Sequence, residues 1–132
     1  GRILIAPGGD CHLRVGRGDP LRCQLVAGPP ECGHRPSVGA MMNSFLPRAH
    51  RVVAVMLTGM GRDGATAMAA LRRAGAYGIA QDEASSVVFG MPRVAIELGG
   101  ADAVLPLDEI AGEILRQCSA ATEAPARSIP RG

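Results

Sequence analysis

One stretch constrains the fold more than any other: Val52-Val53-Ala54-Val55-Met56-Leu57, then Thr58-Gly59-Met60-Gly61-Arg62-Asp63-Gly64, then Ala65. The unbroken apolar run 52–57 reads as a strand buried on both faces, the signature of a parallel sheet. The segment 65–74 reads as a helix, with Gly75 as its C′ residue. Between them Gly59, Gly61 and Gly64 stand in the spacing G-x-G-x-x-G. A strand, a glycine turn and a helix make the start of a βαβ unit. In sheets built from such units the functional crevice lies beyond the carboxyl ends of the strands, where residues 57–64 fall.

The rest of the chain extends this pattern. Residues 2–6 read as a strand closed by Pro7-Gly8-Gly9. The apolar runs 12–15 and 23–27 flank a Gly/Pro-rich turn and read as a small β-hairpin, and Gly28-Pro29-Pro30 is a break. Pro36 suits the first turn of a helix carrying Val38, Met41, Met42, Phe45 and Leu46, which Pro47 ends. A short strand at 77–80, a helix opened by Pro92 and ended by Gly99-Gly100, and a strand at 103–105 follow. Asp108 can cap a last helix running through Cys118. Alternation of strands and helices from residue 36 onward specifies a doubly wound α/β fold, mostly parallel, with helical crossovers. Residues 1–119 read as domain and 120–132, poor in apolar surface, as a disordered tail. The chain opens on a core-like strand without an initiator Met, which reads as part of a longer protein.

Composition removes several function classes. Aromatics are 2% of the 132 residues and Trp is absent, so base-stacking nucleic-acid modules are excluded. A net charge of +2 is too small to specify a polyanionic partner. Cys11, Cys23, Cys32 and Cys118 form no C-x-x-C pair, so neither metal-ligand spacing nor a disulfide framework is expected, in keeping with a cytoplasmic protein. No apolar run is long enough to span a membrane.

Three readings compete for the glycine loop. As a dinucleotide turn it has the strand, the helix and an acid, Asp82, near the end of the next strand. Against this, Asp63 would set its charge against a pyrophosphate at a helix N-terminus, and Gln81–Ser86 looks like a turn with a helix start. Asp63 can alternatively cap the helix that follows it. It can also orient a histidine in a hydrolase triad, for which an acid at a strand's carboxyl end is well placed.

Taken in order, Ala6-Pro7-Gly8 with His12, Gly28-Pro29-Pro30, His34-Arg35-Pro36-Ser37-Val38, Leu57–Ala65 and Ala80–Pro92 closely resemble the catalytic domain of the chemotaxis protein-glutamate methylesterases, the CheB family, from about residue 2 to residue 108. The resemblance implies a Ser-His-Asp hydrolase on a doubly wound α/β sheet that demethylates glutamyl esters, and in many members deamidates glutamines, on the cytoplasmic helices of chemoreceptors. It assigns Asp63 as the triad acid and the backbone N–H of Met60 to the oxyanion hole. It implies no cofactor, so neither NAD nor FAD should bind. A receiver domain precedes many members of the family and is a further expected partner.

The departures are equally specific. The family's nucleophile lies in a G-x-S-x-G-G turn, followed by its histidine, and nothing in residues 1–132 reads like that turn. Ser37, Ser44, Ser85 and Ser86 sit in helix-start or helical contexts. His12 and His34 belong to family motifs but not to its triad, and His50 reads as a surface residue. Gly39 stands where the family often has Asp. The expectation is an incomplete domain, inactive by itself; a dinucleotide-binding fragment and a non-catalytic receptor-binding module are the alternatives.

Overall fold

The computed structural model describes residues 1–123. Strand β1 (Cys11–Val15) and strand β2 (Cys23–Ala27) pair antiparallel in the expected hairpin, with Cys11 opposite Ala27 and Val15 opposite Cys23. Helix α1 (Val38–Ser44) follows, and a 3-10 segment (Leu46–Arg51) leads into strand β3 (Val53–Met56). Helix α2 (Ala65–Arg73), strand β4 (Tyr77–Gln81), helix α3 (Met91–Glu97), strand β5 (Ala103–Leu105) and helix α4 (Leu107–Glu123) complete the order. β3, β4 and β5 form a parallel sheet in that order, with Val53 opposite Tyr77 and Ile79 opposite Ala103. The alternation read from sequence is this α/β sheet.

Helices cover both faces. Successive residues of a strand point to opposite sides. Tyr77 donates its hydroxyl to Glu113 of α4 at 2.9 Å. On the other side, a Cβ at Gly78 would lie 3.2 Å from Met68 of α2 and only 1.8 Å from the Gly100 carbonyl oxygen. Gly78 is therefore required by the close passage of the chain between α3 and β5. The main core lies on the α2 side, where Ala54 and Met56 of β3 meet Ala65, Met68 and Leu71 of α2, Met42 of α1 and Ala95 of α3. Arg72 pairs with Asp102 at 2.8 Å, and the same carboxylate accepts the Gly78 N–H at 2.8 Å, tying α2 to the β4–β5 crossover.

Four readings from sequence are corrected. Residues 2–6 are not a strand: Ile3 and Ile5 are 94% and 87% exposed. A strand exists through ladder partners for its backbone groups, and among the described residues this segment has none. Pro36 lies outside the helix, because Ser37 is the N-cap of α1 and its hydroxyl accepts the Ala40 N–H. Asp108 is inside the first turn of α4 rather than its cap; the Leu107 N–H is taken by Ser85 Oγ at 3.0 Å. α4 continues past Cys118 to Glu123, and the rest of the expected tail, 124–132, lies outside the described residues.

Candidate active site

The loop after β3 and the loop after β4 meet at the carboxyl end of the sheet. Gln81, fully buried, ties them together: its Oε1 accepts the Thr58 N–H at 2.8 Å, and its Nε2 donates to the Ser85 carbonyl at 2.8 Å. Thr58 Oγ1 accepts the Val88 N–H at 2.9 Å and donates to the Val88 carbonyl at 3.0 Å. The Gly59 N–H also reaches the Val88 carbonyl, and the Gly59 carbonyl accepts the N–H groups of Gly90 and Met91. The backbones approach so closely that a Cβ at Gly90 would lie 2.8 Å from the Gly59 oxygen, and one at Gly59 would lie 2.7 Å from Met91 Sδ. These glycines serve backbone contact.

This bracing presents Met60 outward. The residue is 81% exposed, and among the described residues its N–H has no backbone acceptor. Gly61, at φ 101°, turns the chain back toward the sheet.

Asp63 points the other way and is only 5% exposed. Its Oδ1 accepts the Ser37 hydroxyl at 2.7 Å and the Gly39 N–H at 3.2 Å; its Oδ2 accepts the Val38 N–H at 2.7 Å. The carboxylate thus caps α1. It does not cap α2, whose N-cap is Gly64 without a side-chain bond. The reason is local: Gly64 adopts φ 85° and is pressed against Val38, where a Cβ would sit 2.7 Å from Cγ1. That turn sends the preceding side chain back to the start of α1. Gly39 contributes through its backbone N–H.

The other candidates separate cleanly. His12 is 2% exposed; its Nδ1 accepts the Ser37 N–H at 3.0 Å, and its Nε2 lies 2.7 Å from the Pro29 carbonyl. An imidazole that accepts at Nδ1 and faces a carbonyl at Nε2 carries its proton on Nε2. Both nitrogens are used, so His12 is structural. His34 borders the loop: its Nε2 lies 3.9 Å from where a Gly61 Cβ would be. His50 is exposed. The hydroxyls of the four serines weighed from sequence are committed. Ser37 donates to Asp63, Ser44 bridges the Val15 N–H and the Met41 carbonyl, Ser85 donates to Asp82 at 2.7 Å, and Ser86 donates to the Asp82 carbonyl. None is paired with a histidine.

Two side chains that brace the site, Ser37 and Gln81, are given no site role by sequence reasoning, which reads Ser37 only as a helix-start serine. Ser37 was readable as a helix cap, since a Ser ahead of a periodic apolar run is the usual signal. Its bond to Asp63, across 26 positions, leaves no local signature.

Comparison with known proteins agrees with this architecture. Residues 1–114 match the family model for CheB methylesterase. A protein-glutamate methylesterase/protein-glutamine glutaminase of Caulobacter vibrioides is 50% identical over 124 residues, which cover 91% of this chain and 35% of that protein. One from Anaeromyxobacter dehalogenans is 53% identical over 119 residues, 89% of this chain and 33% of that protein. The crystal structure of the Thermotoga maritima CheB methylesterase catalytic domain superposes with a TM-score of 0.78 at 32% identity, covering 83% of this chain and 59% of that one. The chain therefore spans about a third of the length of the curated relatives it matches. Against the dinucleotide reading, Asp63 is bonded to the start of α1, and Asp82 Oδ1 accepts both the N–H and the hydroxyl of Ser85. Among the described residues no helix is long and apolar enough to cross a membrane. The chain, its fold and its closely braced glycine loop belong to the CheB methylesterase family.

Proposed function

We propose that this chain is the acid-bearing, C-terminal part of a methylesterase catalytic domain, residues 1–119, whose parent protein hydrolyses glutamyl methyl esters on the cytoplasmic helices of chemoreceptors and can deamidate glutamines there. The observation that carries the reading is the arrangement at the end of β3. One short loop holds a buried carboxylate at Asp63, bonded three times to the start of α1, and an exposed Met60 whose N–H has no backbone acceptor among the described residues.

In the parent enzyme a serine attacks the ester carbonyl, and a histidine takes its proton and returns it to the leaving methanol. Asp63 fixes the tautomer of that histidine and stabilises the imidazolium. The Met60 N–H faces the oxyanion, where one such donor is worth about 3 kcal/mol. Among the described residues no serine hydroxyl is bonded to a histidine: those of Ser37, Ser44, Ser85 and Ser86 are bonded elsewhere, and both ring nitrogens of His12 are engaged. The chain by itself does no acyl transfer. The setting is cytoplasmic, and a receiver domain is the partner expected in the parent protein.

The test is release of methanol from methylated receptor cytoplasmic fragments. The parent protein should turn over, and the chain alone should stay at background. Hydrolysis by the chain alone that a serine-directed inhibitor abolishes would show a nucleophile here and overturn the assignment.

A further inference from the structure

The contacts of Asp63 leave one feature that the triad assignment does not use. A carboxylate has about four acceptor positions. Three are filled from one element: Ser37 Oγ and the Gly39 N–H on Oδ1, and the Val38 N–H on Oδ2. One position remains, on Oδ2, and a triad imidazole needs one.

The Ser37 hydroxyl has its direction imposed. Its oxygen accepts the Ala40 N–H at 3.2 Å, and its proton faces a carboxylate oxygen at 2.7 Å. Ser37 is buried, and its own N–H is held by His12 Nδ1 at 3.0 Å. His12 is in turn fixed by the Pro29 carbonyl. A continuous bonded path thus runs from the Pro29 carbonyl through His12 and Ser37 to Asp63, buried at each of its side chains. An N-cap serine needs only the Ala40 bond. The short second bond to the acid is extra, and it fixes the rotation of the carboxylate about its Cβ–Cγ axis.

We infer that Ser37, held by His12, is a positioning residue of the esterase. It locks the Asp63 carboxylate so that the single free Oδ2 position meets the imidazole. The inference rests on the triad-acid reading of Asp63. Loss of the hydroxyl leaves Asp63 attached to α1 by its two backbone N–H bonds but free to rock, which spreads the geometry of the one bond that catalysis uses.

The experiment uses the full-length parent protein acting on methylated receptor fragments, measured well below the thermal midpoint. Ser37→Ala should lower kcat about ten- to hundredfold, the range for a bond to a charged group, with KM unchanged. Ser37→Thr, which restores a hydroxyl, should recover most of kcat. If Ser37→Ala does not fold, Ser37→Gly carries the same readout, because an N-cap tolerates glycine with little loss. A Ser37 variant with a lowered midpoint but kcat within twofold of the parent makes Ser37 a helix cap alone and overturns the inference. Asp63→Ala, measured alongside, separates the two levels. If it abolishes turnover while the Ser37 variant does not, only the positioning role fails. If Asp63→Ala turns over normally, the triad assignment fails and the positioning role with it.

Discussion

Replacing Asp63 by Asn should cost far more stability than a near-isosteric swap at an exposed helix cap. Three donors converge on the carboxylate from the start of α1, and the site is only 5% exposed. An amide has one acceptor oxygen and one donor group. If the oxygen stays with Ser37 and Gly39, the amide nitrogen faces the Val38 nitrogen at the 2.7 Å separation of the present bond, donor against donor. If the amide flips, it faces the Gly39 N–H instead. Either way a part-buried backbone N–H loses its acceptor, at about 1–3 kcal/mol. The surviving bonds lose their charge assistance and roughly half their strength. The expected total is about 2–4 kcal/mol. Equilibrium denaturation of the parent protein, followed by circular dichroism at fixed m-value, measures it. Combining Asp63→Asn with Ser37→Ala should give a total smaller than the sum of the two, because they share a bond. A loss under about 0.5 kcal/mol, the usual range for surface substitutions, would refute the idea that this carboxylate anchors α1.

Other outcomes follow from the same structure. Gly90→Ala sets a Cβ 2.8 Å from the Gly59 oxygen and 3.2 Å from the Gly61 nitrogen, so it should push the Met60 loop out of place, cost about 1–3 kcal/mol and lower kcat in the parent protein. Glu113 has its carboxyl held below the usual glutamate range, first by the Gln117 side-chain bond and then by the Tyr77 hydroxyl. A lowered carboxylate favours the folded state above its unfolded value near 4.5 and loses that contribution as pH falls through its folded value. The stability gap between Glu113→Gln and the parent should therefore narrow as the solution is acidified below about pH 4.5; a gap independent of pH would count against the contact. Titration calorimetry with NADH should show no saturable heat at millimolar ligand, whereas a micromolar site would revive the nucleotide reading of the glycine loop.

What could be read from the residues, and what could not, divides along sequence distance. The hairpin, the β3–α2–β4 unit and the short strand at 103–105 announce themselves through local alternation and glycine placement, and the structure has them within one or two residues. Ends depend on capping geometry. Pro36 resembled a first-turn proline, yet the next residue, Ser37, holds the cap. Asp108 resembled a cap, yet Ser85 from another loop takes the first free N–H of α4. The segment 2–6 has the composition of a core strand, but a strand is a property of pairs, and composition says nothing about whether the partner is present. Asp63 is the sharpest case. Its place in the loop suggested a cap for the helix directly after it, and the left-handed Gly64 instead turns it to the helix before. That outcome depends on tertiary packing of Val38 on Gly64, which no local pattern encodes. The family motifs identified the residue; only the fold shows what holds it.

The central claim is that Asp63 orients the base of an acyl-transfer triad, and kcat of the parent protein carrying Asp63→Asn tests it most directly. Methanol release should be followed with saturating methylated receptor fragment, under conditions where circular dichroism shows the variant folded. An amide in this position presents the wrong partner to the imidazole, and in a serine protease of the same arrangement that change costs about 10⁴-fold. A loss of that order, with folding retained, is the result expected. Turnover within about tenfold of the unsubstituted enzyme, small beside the loss seen for a triad acid, would contradict the account and leave Asp63 as the anchor of α1 and nothing more.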